Sequence, residues 1–180
     1  MEKSSIGWTP NFSESAESGG LELFRVPVHP PAAKPRSLAV STLVHTDFLS
    51  LAPGGDALAA TAGDDRDTCH NKRIARIGWP AGELRYLTGE HTAAVTPAWS
   101  PDGKQIAYSA APAVPNGCGG GSLMRRSLAL RRIWTIPSSG AALRTALSHD
   151  QRYRDEHPQW SSDATTSSAV STAPAIAPRG

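Results

Sequence analysis

The 180-residue sequence predicts an all-β chain built from recurring strand–turn–strand elements. Three observations predict it. Residues 97–109, Pro-Ala-Trp-Ser-Pro-Asp-Gly-Lys-Gln-Ile-Ala-Tyr-Ser, read as a strand, a tight turn and a second strand, and degraded copies recur along the chain. A second hairpin element recurs in the same order between those copies. Fifteen prolines and sixteen glycines suit many short strands and turns, not long helices.

The turn has a mechanism. Pro101 presets φ at the first central position, Asp102 can bond its own backbone, and Gly103 takes a left-handed φ cheaply. After it, Ile106 and Tyr108 alternate with Gln105 and Ala107, the period of a half-buried strand. Trp99 is large enough to anchor a small core. In a second copy Leu51, Pro53, Gly55 and Leu58 take the places of Trp99, Pro101, Gly103 and Ile106. A third starts at His157-Pro158-Gln159-Trp160-Ser161-Ser162-Asp163, and a faint fourth at Trp8-Thr9-Pro10-Asn11. Successive anchors lie 43, 48 and 61 residues apart, with residues 117–122 placed to loop out the excess in the last interval. The second element is Ile74-Ala75-Arg76-Ile77 with Gly82 and Leu84-Arg85, repeated as Ile133-Trp134-Thr135-Ile136 with Gly140 and Leu143-Arg144. Both have seven residues from the last Ile to the Leu, and Leu23-Phe24-Arg25-Val26 followed by Pro35-Arg36-Ser37-Leu38 is a looser copy.

Pro-x-Trp-Ser-Pro-Asp-Gly-Lys-x-Ile-Ala-Tyr resembles the TolB-like, PD40-type β-propeller repeat, and Arg85-Tyr86-Leu87-Thr88 resembles the end of the second hairpin of such a blade. The resemblance implies an all-β, partial TolB-like propeller of about three four-stranded antiparallel blades. Closed propellers usually need about four to eight blades, so the expectation is an incomplete propeller over residues 1–160 and a disordered tail over 161–180. In that tail only Val170 and Ile176 are aliphatic and larger than Ala, and Ser167-Ser168-Ala169 stand where Ile106-Ala107-Tyr108 stood. Such a segment buries too little to offset ordering entropy of about 1–2 kcal/mol per residue. The chain therefore reads as a truncated or frame-altered piece of a longer propeller, with a natural flexible tail after Trp160 as the alternative.

In chain order, residues 21–28 are apolar and β-rich, and Pro30 to Pro35 is a loop. Residues 38–44 read as a strand, 47–51 enter the first clear turn, and 58–62 form a weak strand of small residues. A polar loop follows over 63–72. Residues 74–77 and 84–87 pair as a hairpin, the Trp99 element comes next, and 111–123 is a loop. Residues 128–136 contain a strand with Trp134 and Ile136 on one face, Gly140 turns the chain into 143–147, and 149–157 is polar.

Composition narrows the function. Leu, Ile, Val and Phe make up about one-sixth of the chain, while net charge is only +2, which signals a thin core. The densest basic pairs, Arg125-Arg126 and Arg131-Arg132, have no aromatic between them and read as a solvated loop flank, so no nucleic-acid partner is expected. No run of 18 apolar residues occurs, so no membrane insertion is expected. Met1-Glu2-Lys3-Ser4-Ser5 lacks an apolar signal-peptide region. That implies a cytoplasmic chain as it stands, or a periplasmic one if it is an internal piece of an exported TolB-like protein.

No catalytic, cofactor-binding or metal site is expected. Asp64-Asp65-Arg66-Asp67 is the one acidic cluster, but it lacks the Asp-x-Asp-x-Asp-Gly spacing of a calcium loop and reads as a solvated turn. His70, His91, His149 and His157 are dispersed; His91 and His157 precede their Pro-x-Trp elements by six residues and by one, which argues against a shared role. Cys69 and Cys118 fall in equivalent loops and read as free thiols, with a bridge as the alternative outside the cytoplasm. Ser100 and Ser161 repeat at one motif position, outside any Gly-x-Ser-x-Gly elbow, and read as turn caps. The resemblance implies a non-catalytic scaffold that binds protein partners, with self-association through open blade edges. The alternative is the propeller of a prolyl-oligopeptidase-like serine peptidase, whose catalytic domain the sequence lacks.

Overall fold

A computed structural model describes residues 4–10, 21–27, 34–37, 43–63, 70–114, 126–140, 143–150, 152–163 and 167–172. Among the described residues thirteen strands form four antiparallel sheets. The first holds β1 (Ser4–Pro10), β2 (Leu21–Pro27) and β3 (Arg36–Ser37). The second and third are complete four-stranded blades. One is β4 (Leu43–Leu51), β5 (Ala57–Gly63), β6 (Arg73–Gly78) and β7 (Leu84–Tyr86). The other is β8 (Thr92–Trp99), β9 (Gln105–Pro112), β10 (Arg132–Pro137) and β11 (Thr145–Ala146). The fourth pairs β12 (Arg154–Trp160) with β13 (Ser167–Thr172).

The repeated turn forms as its residues dictate. Gly103 donates to Ser100 O, with φ 74°, and Gly55 donates to Ala52 O, with φ 70°. In the fuller copy the Ser100 hydroxyl donates to Asp102 Oδ1 at 2.7 Å and accepts from Gln105 N–H at 2.9 Å, while Asp102 Oδ1 also accepts from Lys104 N–H. The Ser100 hydroxyl and the Lys104 amide hold the Asp102 carboxyl below its ordinary value. Ser161 Oγ and Asp163 Oδ1 repeat the pair in the third copy at 2.5 Å.

Blades stack face to face, and the core lies between them. Every residue of β5 is buried, and so are the central residues of β8 and β9. One apolar cluster joins Ala59, Ile74 and Leu87 of the second sheet to Ala94, Ile106, Tyr108 and Ile136 of the third. Another joins Leu23 of the first sheet to Val44, Leu58 and Ile77 of the second. Trp99 is only half-buried. Its indole sits at the turn end, where Nε1–H donates to Gly103 O at 3.1 Å and its amide donates to Ser50 Oγ in the preceding blade at 2.9 Å. The deep anchors are Tyr108, Ile106, Ile74, Ile77 and Leu58.

Main-chain bonds repeat from blade to blade. Ala94 N–H donates to Lys72 O, and Asp155 N–H donates to Arg131 O at the equivalent place. Lys72 and Arg131, each two residues before the Ile of its third strand, are both buried, at 1% and 4% exposure. Burial pulls the Arg131 guanidinium below its ordinary value, opposed by the Glu156 carboxylate with which it pairs. Arg154 also reaches Glu156, at 3.1 Å. Trp160 Nε1–H donates to Ala98 O and Ser109 Oγ–H to Asp155 O, closing the same interface.

Several expectations are corrected. Arg131 is no part of a solvated flank: the chain brings Glu156 of β12 against it. Trp8 is not a blade anchor. It pairs with Leu23, the register place that Thr61 holds opposite Ile74, so β1 is a second strand and not a first. The last hairpin of the third blade is one residue longer than that of the second. Ile77 faces Leu84, but Thr135 faces Thr145, which shifts Leu143 out of register and leaves it 82% exposed. The expectation of a tail without structure fails for Ser167–Thr172, which form β13. Trp160 faces Ser167 as Trp99 faces Ile106, so the repeat holds its register through backbone pairing although its apolar residues are gone. Residues 164–166 and 173–180 lie outside the described residues.

Two outcomes follow from this packing. Glu156→Ala strands a buried guanidinium and is expected to cost about 3–5 kcal/mol, whereas the double variant Arg131→Met with Glu156→Leu loses much less; urea melts of both show the ranking. Ile106→Ala empties a fully buried site and costs about 2–5 kcal/mol. Trp99→Phe keeps most of the packing and loses one hydrogen bond, about 1 kcal/mol. Equal midpoints for these two would show that the core anchors are wrongly placed.

Candidate functional site

Among the described residues two clefts lie where blades meet. The larger, about 250 Å³, is lined by Ala52, Pro53, Gly54 and Asp56 from one turn, by Trp99 and Gly103 from the next, by Ser138 and Ser139, and by Arg76 and Arg85. Each part is positioned by strand geometry. Arg76 of β6 and Arg85 of β7 are directly opposed in the antiparallel register. Their side chains therefore share a face, with Cβ atoms about 4.5–5.5 Å apart. Asp56 lies 3.5 Å from the Arg76 guanidinium. Gly103 O accepts from both Trp99 Nε1–H and Ser138 Oγ–H, the latter at 2.7 Å, which pins the third blade's two turns together. Gly140 adopts φ 78°, and a Cβ there would lie 3.1 Å from an Arg85 terminal nitrogen, so the glycine leaves the guanidinium its place.

The smaller cleft, about 130 Å³, lies where the inner strands bulge and is lined by Phe48, Leu49, Thr96, Pro97, His157, Pro158 and Gln159. Register shifts fall between Val44 and Leu49, Val95 and Ala98, and Glu156 and Gln159. Thr96 and His157 occupy the same place in successive blades, with φ 54° and 53°. A β-branched residue rarely takes that conformation, and a proline follows each. The Phe48 and His157 rings lie 6.0 Å apart.

The sequence candidates scatter. Ser100 is buried and engaged within its turn. His91 is exposed at the start of β8, with φ 61°, and does not match His157 in position. His149 is exposed at the end of the β10–β11 hairpin. Among the described residues no group of three His, Cys, Asp or Glu side chains gathers as metal ligands, and no helix is long and apolar enough to cross a membrane. Asp64, Asp65, Arg66, Asp67, Cys69 and Cys118 lie outside the described residues, as does any pairing of the two cysteines. The Arg76–Arg85 opposition was not singled out in the sequence. The seven-residue spacing from Ile77 to Leu84 does not fix it, because the same spacing from Ile136 to Leu143 goes with a register one residue longer.

No protein-family model matches the chain, and no curated protein matches it significantly. Solved structures do. A TolB-type protein of Agrobacterium tumefaciens superposes with a TM-score of 0.61 at 18% identity, covering 89% of this chain and 49% of its own. TolB of Acinetobacter baumannii superposes with a TM-score of 0.58 at 14% identity, covering 88% of this chain and 34% of its own. The chain thus spans about half and about a third of those two proteins. Inner strands β4, β8 and β12 side by side, complete four-strand blades and these superpositions establish the architecture as that of a TolB-like β-propeller.

Proposed function

We propose that the chain is a non-catalytic propeller module that binds protein partners and works as a segment of a longer propeller. The observation that carries this is the edge of β13. Among the described residues β13 has a neighbour on one side only, whereas β5 and β9, its equivalents in the complete blades, have one on each side. An open strand edge presents backbone N–H and C=O groups to any extended segment, including a second copy of the chain. The repeated turn supports the non-catalytic part of the reading. Ser100 and Asp102, the side chains there best suited to acid–base or nucleophilic work, are committed to each other and to the turn's amides.

Association is the consequence. Light scattering over a concentration series is expected to show a mass that rises with concentration, and amide protection across Ser167–Thr172 is expected to rise with it. A concentration-independent monomer with one sharp melt would overturn the open-edge reading.

A further inference from the structure

We propose that the cleft between the two complete blades is a carboxylate-binding site for an acidic peptide segment of a protein partner. Like charges directly opposed across a strand pair destabilise a sheet, yet Arg76 and Arg85 stand in that relation. One carboxylate, Asp56, lies within reach of Arg76 at 3.5 Å, and among the described residues Arg85 makes no ion pair. Two guanidiniums and one carboxylate leave one cation to be matched. A planar guanidinium pairs best with a carboxylate, through two parallel N–H···O bonds. The remaining walls suit the stem of an acidic side chain: Ala52, Pro53 and the Trp99 ring are apolar, and Ser138 and Ser139 are polar. At about 250 Å³ the cleft is smaller than the roughly 300–1,000 Å³ of small-molecule pockets. It accommodates one or two side chains of a peptide lying across the blade junction. Gly140 leaves room for Arg85, since a Cβ there would come within 3.1 Å of the guanidinium.

The proposal takes its kind of ligand from the partner-binding reading, but it does not use the β13 edge, so either can fail alone. The test uses the full chain with labelled acetyl-Glu-Glu-Glu-Glu-amide and its all-Gln counterpart, read by fluorescence anisotropy. The Glu peptide is expected to bind saturably and to weaken with salt, and the Gln peptide to bind at least tenfold more weakly. Arg85→Gln is expected to lower Glu-peptide affinity about tenfold or more while raising the melting temperature of the free protein, because the opposed charge is gone. A purely structural role for Arg85 predicts the reverse shift in melting temperature. Equal binding of the two peptides, no saturable binding of the Glu peptide, or an unchanged affinity in Arg85→Gln overturns the assignment.

Discussion

Burial of β5 on both faces is the constraint on which the architecture depends. Ala57, Leu58, Ala59, Ala60, Thr61, Ala62 and Gly63 are all buried. A strand can be covered on both sides only if another sheet lies against each face, and here the first and third sheets do so. Small residues make the close approach feasible: Ala94 and Ala110 of β8 and β9 share a cluster with Ala59 of β5, and Ala93, Ala107 and Ala111 of the same two strands are buried as well. The low content of large aliphatics therefore reflects closely stacked sheets, each supplying a few large side chains such as Ile74, Ile77, Ile106 and Tyr108. Two-sided burial also removes the polar–apolar alternation that marks a one-sided strand.

Stacking alone leaves the blades free to slide, and the repeated main-chain bonds remove that freedom. The residue before each third strand accepts from an inner strand of the next blade, as Lys72 does from Ala94 and Arg131 from Asp155. A buried cation stands at that place in both blades. Desolvation makes it costly, and at Arg131 the cost is offset by Glu156, which comes from the following blade. The pair thus exists only when two neighbouring blades are correctly docked. That ties electrostatics to blade order in a way that apolar contacts between alanines cannot.

How far the sequence showed this depends on the range of each interaction. The turn at Ser100–Gly103 was fully legible, because Pro, Asp and Gly act within four residues. The alignment of Trp160 with Trp99 and of Ser167 with Ile106 was also legible, since a fixed turn length fixes the register. The strand character of Ser167–Thr172 was not, because its Ser, Thr and Ala residues carry no apolar signal and the backbone ladder with β12 does the holding. Trp8 misled because an aromatic before Thr-Pro mimics the motif, while its register with Leu23 depends on a partner 15 residues away. Glu156 lies 25 residues from Arg131, and no local pattern joins them.

The two clefts differ in how the fold makes them, and that difference bears on what each can do. The inner one arises from backbone strain: Thr96 and His157 hold left-handed φ at equivalent bulges, so its shape is a property of the repeat. The outer one arises from side chains that the repeat does not require. At the place of the Arg76–Arg85 pair the third blade has Thr135 opposite Thr145, a pairing without charge. Blade formation therefore does not demand the arginines, and their mutual repulsion works against it. The first sheet repeats the opposition, with Arg25 facing Arg36, so it is chemistry that some blades carry and another dispenses with, and a recognition site can be built on it without altering the scaffold.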